Sequence, residues 1–241
     1  MRLNLLALET ATEGCSVALL SGDDVHERFE VAPRRHTQLL LPMCSALLAE
    51  AGVRRSDLDV IAAGRGPGSF TGVRLAVSAA QGIARALGLP VIPVSSLAAL
   101  ALDAPADGAP ILAVIDARRG EIYAGQFART SEGTLRELAP ETVGPADALE
   151  LAEVSSRWNV IGTGWGAYRD ALAARLGAPP RWVDAERFPR AGAVARLASL
   201  AFDDRMPPQQ LAPTYLRNHV ADTIADRGRR RDCSTDTGAG C

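Results

Sequence analysis

Two carboxylates occupy matching places in the chain. Glu9 closes the apolar run LLALE and Asp116 closes ILAVID, and each is followed by a short polar turn with a glycine and a second apolar run. Paired acids facing a cleft can hold a metal–nucleotide complex or serve as acid and base. An acid at a hairpin turn also commonly bonds its own backbone, and spacing alone favours that role. Other chemistry is thin. His26, His36 and His219 lie far apart, and the position four beyond His36 is Leu40, so the helical histidine pair of many metal sites is missing. The run GPGSF is not the G-x-S-x-G elbow of a serine hydrolase. Cys15, Cys44, Cys233 and Cys241 are scattered with no C-x-x-C pair. This suits a reduced, cytoplasmic chain in which Cys15 and Cys44 act as small core residues.

The stretch GRGPGSFTGVR, residues 64–74, holds four glycines and a proline directly before a helix-forming run. Glycine-rich turns that open helices often grip phosphates, but Gly72 is followed by Val73-Arg74, with no lysine for a Walker-type loop. The glycine spacing is offset from the dinucleotide fingerprint, and no acid occurs between Gly72 and Asp103. Residues 66–69 and Gly72 (Gly66, Pro67, Gly68, Ser69, Gly72) read instead as a tight turn of unusual dihedrals, with Ser69 or Thr71 capping the next helix.

The elements around these residues point to an α/β fold with a partly parallel sheet. Residues 3–8, 15–20, 59–64, 90–96, 111–115, 121–127 and 158–162 read as strands, and 36–51, the run from the glycine turn to about 87, 145–152, 167–176 and 190–203 as helices. Pro42 falls inside the first helix and removes one of its hydrogen bonds. LLALETATEGCSVALL and ILAVIDARRGEIYAGQF share one pattern, a weak internal repeat of hairpins. In the helix before 87, Val73, Ala76, Val77, Ala80, Ile83, Ala84 and Leu87 form an apolar stripe, while Leu75, Ala79, Gly82 and Ala86 make a small-residue face on the other side. A helix apolar or small nearly all round is either wholly buried or meets a partner. Leu39, Leu40, Met43, Leu47 and Leu48 make the first helix broadly apolar too.

With 47% hydrophobic and 22% charged residues in 241, the chain has the composition of an ordinary globular protein. A net charge of −2 argues against a stand-alone nucleic-acid binder. No apolar run approaches the roughly 20 residues of a membrane span, and the start is too short in apolar residues for a signal peptide. Residues 222–241, with RGRRR then STDTGAG, have little to bury and read as a disordered tail.

In order along residues 3–217, LALETATEGCSVALL, HTQLLLP, GRGPGSFTGVRLAVSAAQGIA, VSSLAALA, IDARRGEIY, GTGW and APTYLR closely resemble the TsaB family. The resemblance implies an actin/Hsp70/sugar-kinase-like fold of two related lobes, the second reduced. These are an N-terminal lobe over 1–102, a C-terminal lobe over 110–190, and a closing helix and extended segment over 191–221. It also implies a part in building threonylcarbamoyladenosine on tRNA beside the anticodon, where the related TsaD protein is the transferase. TsaD's metal site uses H-x-x-x-H in the region of the first helix. Here RRHTQLLLP carries His36 alone, so the resemblance implies a subunit with no catalytic residue and no metal.

The implied partners are a TsaD-type transferase in a heterodimer, a second copy in a homodimer, and a TsaE-type ATPase, with tRNA reached only through the complex and no membrane. The contact would run through two helices, at His36, Leu39, Leu40, Met43, Leu47, Arg74, Leu75, Ser78, Ala79, Gly82 and Ala86. Glu9, Thr10 and Asp116 match phosphate-loop positions of active relatives, and Arg118 lies in the second such loop. No cofactor is expected on the chain alone, with ATP or ADP left to the partner interface. The alternatives are an ATP-dependent transferase or kinase of the same fold, and a metallopeptidase, which the single unpaired histidine argues against.

Overall fold

The computed structural model describes residues 3–216. His219, Cys233, Cys241 and the expected tail over 222–241 lie outside them. The chain forms two five-stranded sheets of one topology. In the first half, β1 (Asn4–Glu9), β2 (Gly14–Ser21) and β3 (Asp24–Val31) form an antiparallel meander. Helix α1 (His36–Glu50) leads to β4 (Val60–Gly64), parallel to β1, and α2 (Phe70–Leu87) leads to β5 (Val91–Val94), parallel to β4. Helix α3 (Ser96–Leu102) follows.

The second half repeats the plan. Strands β6 (Ile111–Arg118), β7 (Glu121–Arg129) and β8 (Leu135–Pro145) make the meander, and β9 (Asn159–Ile161) runs parallel to β6. Short helices α4 (Thr163–Ala167) and α5 (Arg169–Leu176) precede β10 (Trp182–Asp184), parallel to β9, and α6 (Ala191–Leu200). The sheet orders β3-β2-β1-β4-β5 and β8-β7-β6-β9-β10 correspond strand for strand. The repeated hairpins are thus the visible part of a full duplication.

Strands buried on both faces read as unbroken apolar runs, which is why β1, β2, β4 and β6 stand out in the sequence. Leu6, Leu8, Val17, Leu19 and Ile61 point to the side of α1 and α2, where they pack with Leu40, Leu47, Val73, Val77 and Ala80. Their neighbours Leu5, Ala7, Ala18 and Val60 point the other way, onto Ala191, Val194 and Ala198 of α6. In the second sheet, Ile111, Ala113 and Ile115 meet Leu97 and Leu100 of α3, and Leu112 and Val114 meet Trp165 and Leu172. The two halves therefore exchange a helix. α3 follows the first sheet in sequence and packs on the second, while α6 follows the second and packs on the first.

Three strands escape the sequence reading. β3 and β8 are edge strands of mixed exposure, and β10 is three residues long. The helix expected over 145–152 is absent beyond a 3-10 turn at Ala146–Ala148. There the buried Gln126 side chain donates to the Glu150 carbonyl at 2.8 Å and accepts from the Ala152 N–H at 2.8 Å, so the backbone groups a helix would use are already paired. α1 runs unbroken through Pro42, on its exposed side.

Candidate functional site

The glycine-rich turn is docked on the first hairpin turn. Ser69 donates its N–H to the Ala11 carbonyl at 2.7 Å, and its Oγ caps α2 by accepting from the Gly72 N–H at 3.1 Å. Thr10 Oγ1 donates to the Gly72 carbonyl at 2.7 Å. A Cβ on Gly68 would lie 2.4 Å from the Ala11 carbonyl oxygen, and one on Gly72 2.0 Å from that of Thr10. The glycines permit backbone to touch backbone, and Gly66 adds a positive φ of 90°.

Glu9 and Thr10 do not reach the cleft. Both are wholly buried. Glu9 accepts from the Ala11 N–H at 2.6 Å and from Ser96 Oγ, at the start of α3, at 2.7 Å. Burial pushes its carboxyl above the ordinary range, against the pull of these hydrogen bonds. The side chain fastens the end of β1 to α3.

Asp116 and Arg118 do face a cleft, of about 770 Å³, between the hairpin turns of the two lobes and the starts of α1 and α2. Asp116 Oδ1 accepts from the Arg118 N–H at 2.7 Å and from Tyr168 Oη at 3.0 Å. The Arg118 guanidinium pairs with Asp116 at 2.9 Å and reaches across to Glu13 of the other lobe at 2.5 Å. The sequence reading missed Glu13 and Tyr168. Glu13 lay in view, in the turn that matches the one carrying Arg118.

Beside the cleft, α1 and α2 show one side to solvent. On α2, Arg74, Ser78, Gly82 and Ala86 are exposed and Leu75 and Ala79 half-buried; on α1, His36 and Leu39 are half-buried. Leu40, Met43 and Leu47 are not on this face. They are buried against the first sheet, because the three consecutive leucines 39–41 cannot share one side of a helix and Leu40 takes the inward position. Leu41, 53% exposed, stands outward instead. At the start of α2, Phe70 (55% exposed) and Tyr215 (51%) lie with ring centres 6.3 Å apart, and the Arg74 guanidinium carbon is 3.2 Å from the Phe70 ring centre. The leucine triplet was the available signal for Leu41. Nothing in the spacing brings Tyr215 to Phe70.

His36 lines the cleft with a buried Nε2 that has no hydrogen-bond partner among the described residues. No group of three His, Cys, Asp or Glu side chains suited to a metal occurs among those residues, and no helix among them is long and apolar enough to cross a membrane.

Duplicated lobes, each a three-stranded meander extended by two parallel strands with a cleft between, are those of the actin/Hsp70/sugar-kinase-like fold. The family model described as TsaD, tRNA N6-adenosine threonylcarbamoyltransferase, matches residues 17–175. The tRNA threonylcarbamoyladenosine biosynthesis protein TsaB of Escherichia coli is 39% identical over 91% of this chain and 96% of its own. Its namesake from Haemophilus influenzae is 38% identical over 90% and 95%. The solved structure of YeaZ from Pseudomonas aeruginosa superposes with a TM-score of 0.82 at 41% identity, covering 89% of this chain and 100% of that one. The chain belongs to the TsaB family.

Proposed function

We propose that this chain takes part in threonylcarbamoyladenosine biosynthesis on tRNA as a non-catalytic subunit that binds and supports a TsaD-type transferase. The observation that carries the reading is the outward side of α1 and α2. There Leu41 of α1 and Phe70 and Gly82 of α2 are exposed and Leu75 and Ala79 half-buried, small and apolar side chains suited to close approach of another helix pair. The chemistry is spare by contrast: no group of three His, Cys, Asp or Glu side chains suited to a metal occurs among the described residues, and Glu9 and Thr10 are wholly buried. In this reading a TsaE-type ATPase is a further partner, ATP or ADP sits at the contact between subunits rather than on the chain alone, and tRNA is met only in the complex.

The test is reconstitution of tRNA modification with TsaD, TsaE and the carbamoyl-donor synthase, with and without this chain. Modification should need the chain and should be lost with Ala79→Arg or Gly82→Arg, which jam the face. Full modification without the chain, or with either variant, overturns the reading. A second reading, an ATP-dependent transferase in its own right, rests on the cleft. It requires ATP turnover by the purified chain that disappears on Asp116→Ala.

A further inference from the structure

The second hairpin turn is shaped around one side chain. Between Asp116 and Arg118 the pairing of β6 with β7 shifts register, a bulge of the kind that re-aims a side chain. Arg118 and Arg119 then take left-handed backbone, with φ of 66° and 58°, ahead of Gly120 at 84°. That conformation is unfavourable for residues with a Cβ and persists where the surroundings enforce it. Here they do. Asp116 Oδ1 accepts from the Arg118 N–H at 2.7 Å and from Tyr168 Oη at 3.0 Å, and Tyr168 Oη accepts in turn from the Gly120 N–H at 3.2 Å.

The guanidinium presented by this turn stands between carboxylates of different lobes. Nη1 lies 2.9 Å from Asp116 Oδ2 and Nη2 lies 2.5 Å from Glu13 Oε1. Without it, Glu13 and Asp116 would face each other across the cleft as like charges, which oppose approach. The lobes are also joined through α3 and α6, which pack on one another at Ala99 and Ala195. The pairs Arg187–Asp103 and Arg190–Glu27 lie where α3 ends and α6 begins. Arg118–Glu13 is of another kind, since it ties the two matching hairpin turns directly. Side-chain exposures of 71% for Arg118 and 38% for Glu13 put it at the mouth of the cleft, in reach of water. An exposed pair shifts an equilibrium by about fivefold or less and is screened by salt. Such a contact can open and close.

We propose that Arg118 is an interlobe latch: held between Asp116 of the second lobe and Glu13 of the first, its guanidinium keeps the cleft narrow, and its release lets the lobes part. Asp116 and Tyr168 are positioning residues that fix the turn aiming it. The latch is a property of the single chain and does not depend on the docking of a TsaD-type protein.

Single-molecule energy transfer measures the opening, at a dilution where copies do not meet. Dyes are placed on the full chain at Gln38→Cys, exposed near the start of α1 in the first lobe, and Asp147→Cys, exposed just after β8 in the second. Cys233→Ser and Cys241→Ser remove the other accessible thiols, and Cys15 and Cys44 are buried. The ratio of high- to low-transfer molecules should fall about twofold or more between about 0.05 and about 0.5 M salt. At the lower salt, Arg118→Ala and Glu13→Ala should each reduce it about three- to fivefold, and the double variant should reduce it no further than Arg118→Ala. Circular dichroism checks that the variants fold, and if Arg118→Ala does not, Glu13→Ala and the salt series decide. Native transfer indifferent to salt, or unchanged in both single variants, overturns the latch. A loss with Arg118→Ala that Glu13→Ala does not share also overturns it, because the arginine would then serve its own turn and not the other lobe.

Discussion

A methyl group on Gly64 would land inside the Glu9 carboxylate. A Cβ there lies 1.9 Å from Oε2 and 2.6 Å from Cδ, and the carboxylate cannot swing aside, because Ser96 holds one oxygen and the Ala11 N–H the other. Gly64→Ala is therefore an overpacking change at the severe end, about 3 kcal/mol. For a chain of this size that lowers Tm by about 6 to 12 °C. Glu9→Ala leaves the Ala11 N–H and the Ser96 hydroxyl buried without an acceptor and relieves the desolvation of a carboxylate, a net loss of about 2 to 3 kcal/mol. The double variant should not cost the sum of about 5 to 6 kcal/mol, since the new methyl enters the space the carboxylate leaves. It should cost little more than Glu9→Ala alone, a coupling of about 3 kcal/mol. Urea unfolding of the four proteins, with a shared m-value, measures the cycle. Losses that add to within about 0.5 kcal/mol would refute Glu9 as a clasp wedged against Gly64.

Two other glycines should respond in opposite directions. Gly72→Ala drives a Cβ to 2.0 Å from the Thr10 carbonyl oxygen and should destabilise by about 3 kcal/mol, whereas Gly82→Ala meets nothing within 4 Å and should stabilise α2 by about 0.5 to 1 kcal/mol in thermal unfolding. The raised carboxyl of Glu9 means the folded state holds its proton at pH values where the unfolded state, near its ordinary 4.5, has lost it. Its contribution to stability is therefore complete below about pH 4.5 and declines as pH rises through the folded value. Ser96→Ala, which removes a hydrogen bond to the carboxylate, should destabilise more at about pH 8 than at about pH 5 in urea titrations, and an equal loss would count against the argument. Burial pushes Cys15 up to about 11 and Cys44 up to about 12, so mass-resolved alkylation of the native protein should spare both until urea exposes them.

The parts of the fold legible in the sequence are those whose burial leaves a pattern. β1, β4 and β6 are covered on both faces and read as apolar runs, and the α2 stripe from Val73 to Ala84 goes into the core as its spacing says. β3 and β8 were missed because an edge strand half in water carries no such run. The site divides in the same way. That Ser69 or Thr71 caps α2 is a local matter and readable, and the structure selects Ser69. That Glu9 is a clasp depends on Ser96, 87 residues away, and an acid after a strand reads alike in either role. On α1, composition announced an apolar helix, but only the sheet beneath decides that Leu40, Met43 and Leu47 go inward while Leu41 is left outside.

The crossed placement of α3 and α6 bears on how the chain is made. When the ribosome has produced residues 1–102, the first sheet has α1 and α2 on one side and bare apolar strands on the other, because Ala191, Val194 and Ala198 have not been synthesised. Meanwhile α3 is finished, but its side bearing Leu97 and Leu100 stays bare until β6 and β7 appear. Each half should therefore be unstable by itself. A fragment ending near residue 102 should aggregate and one starting near residue 110 should lack its covering helix, yet the two expressed together should restore each other.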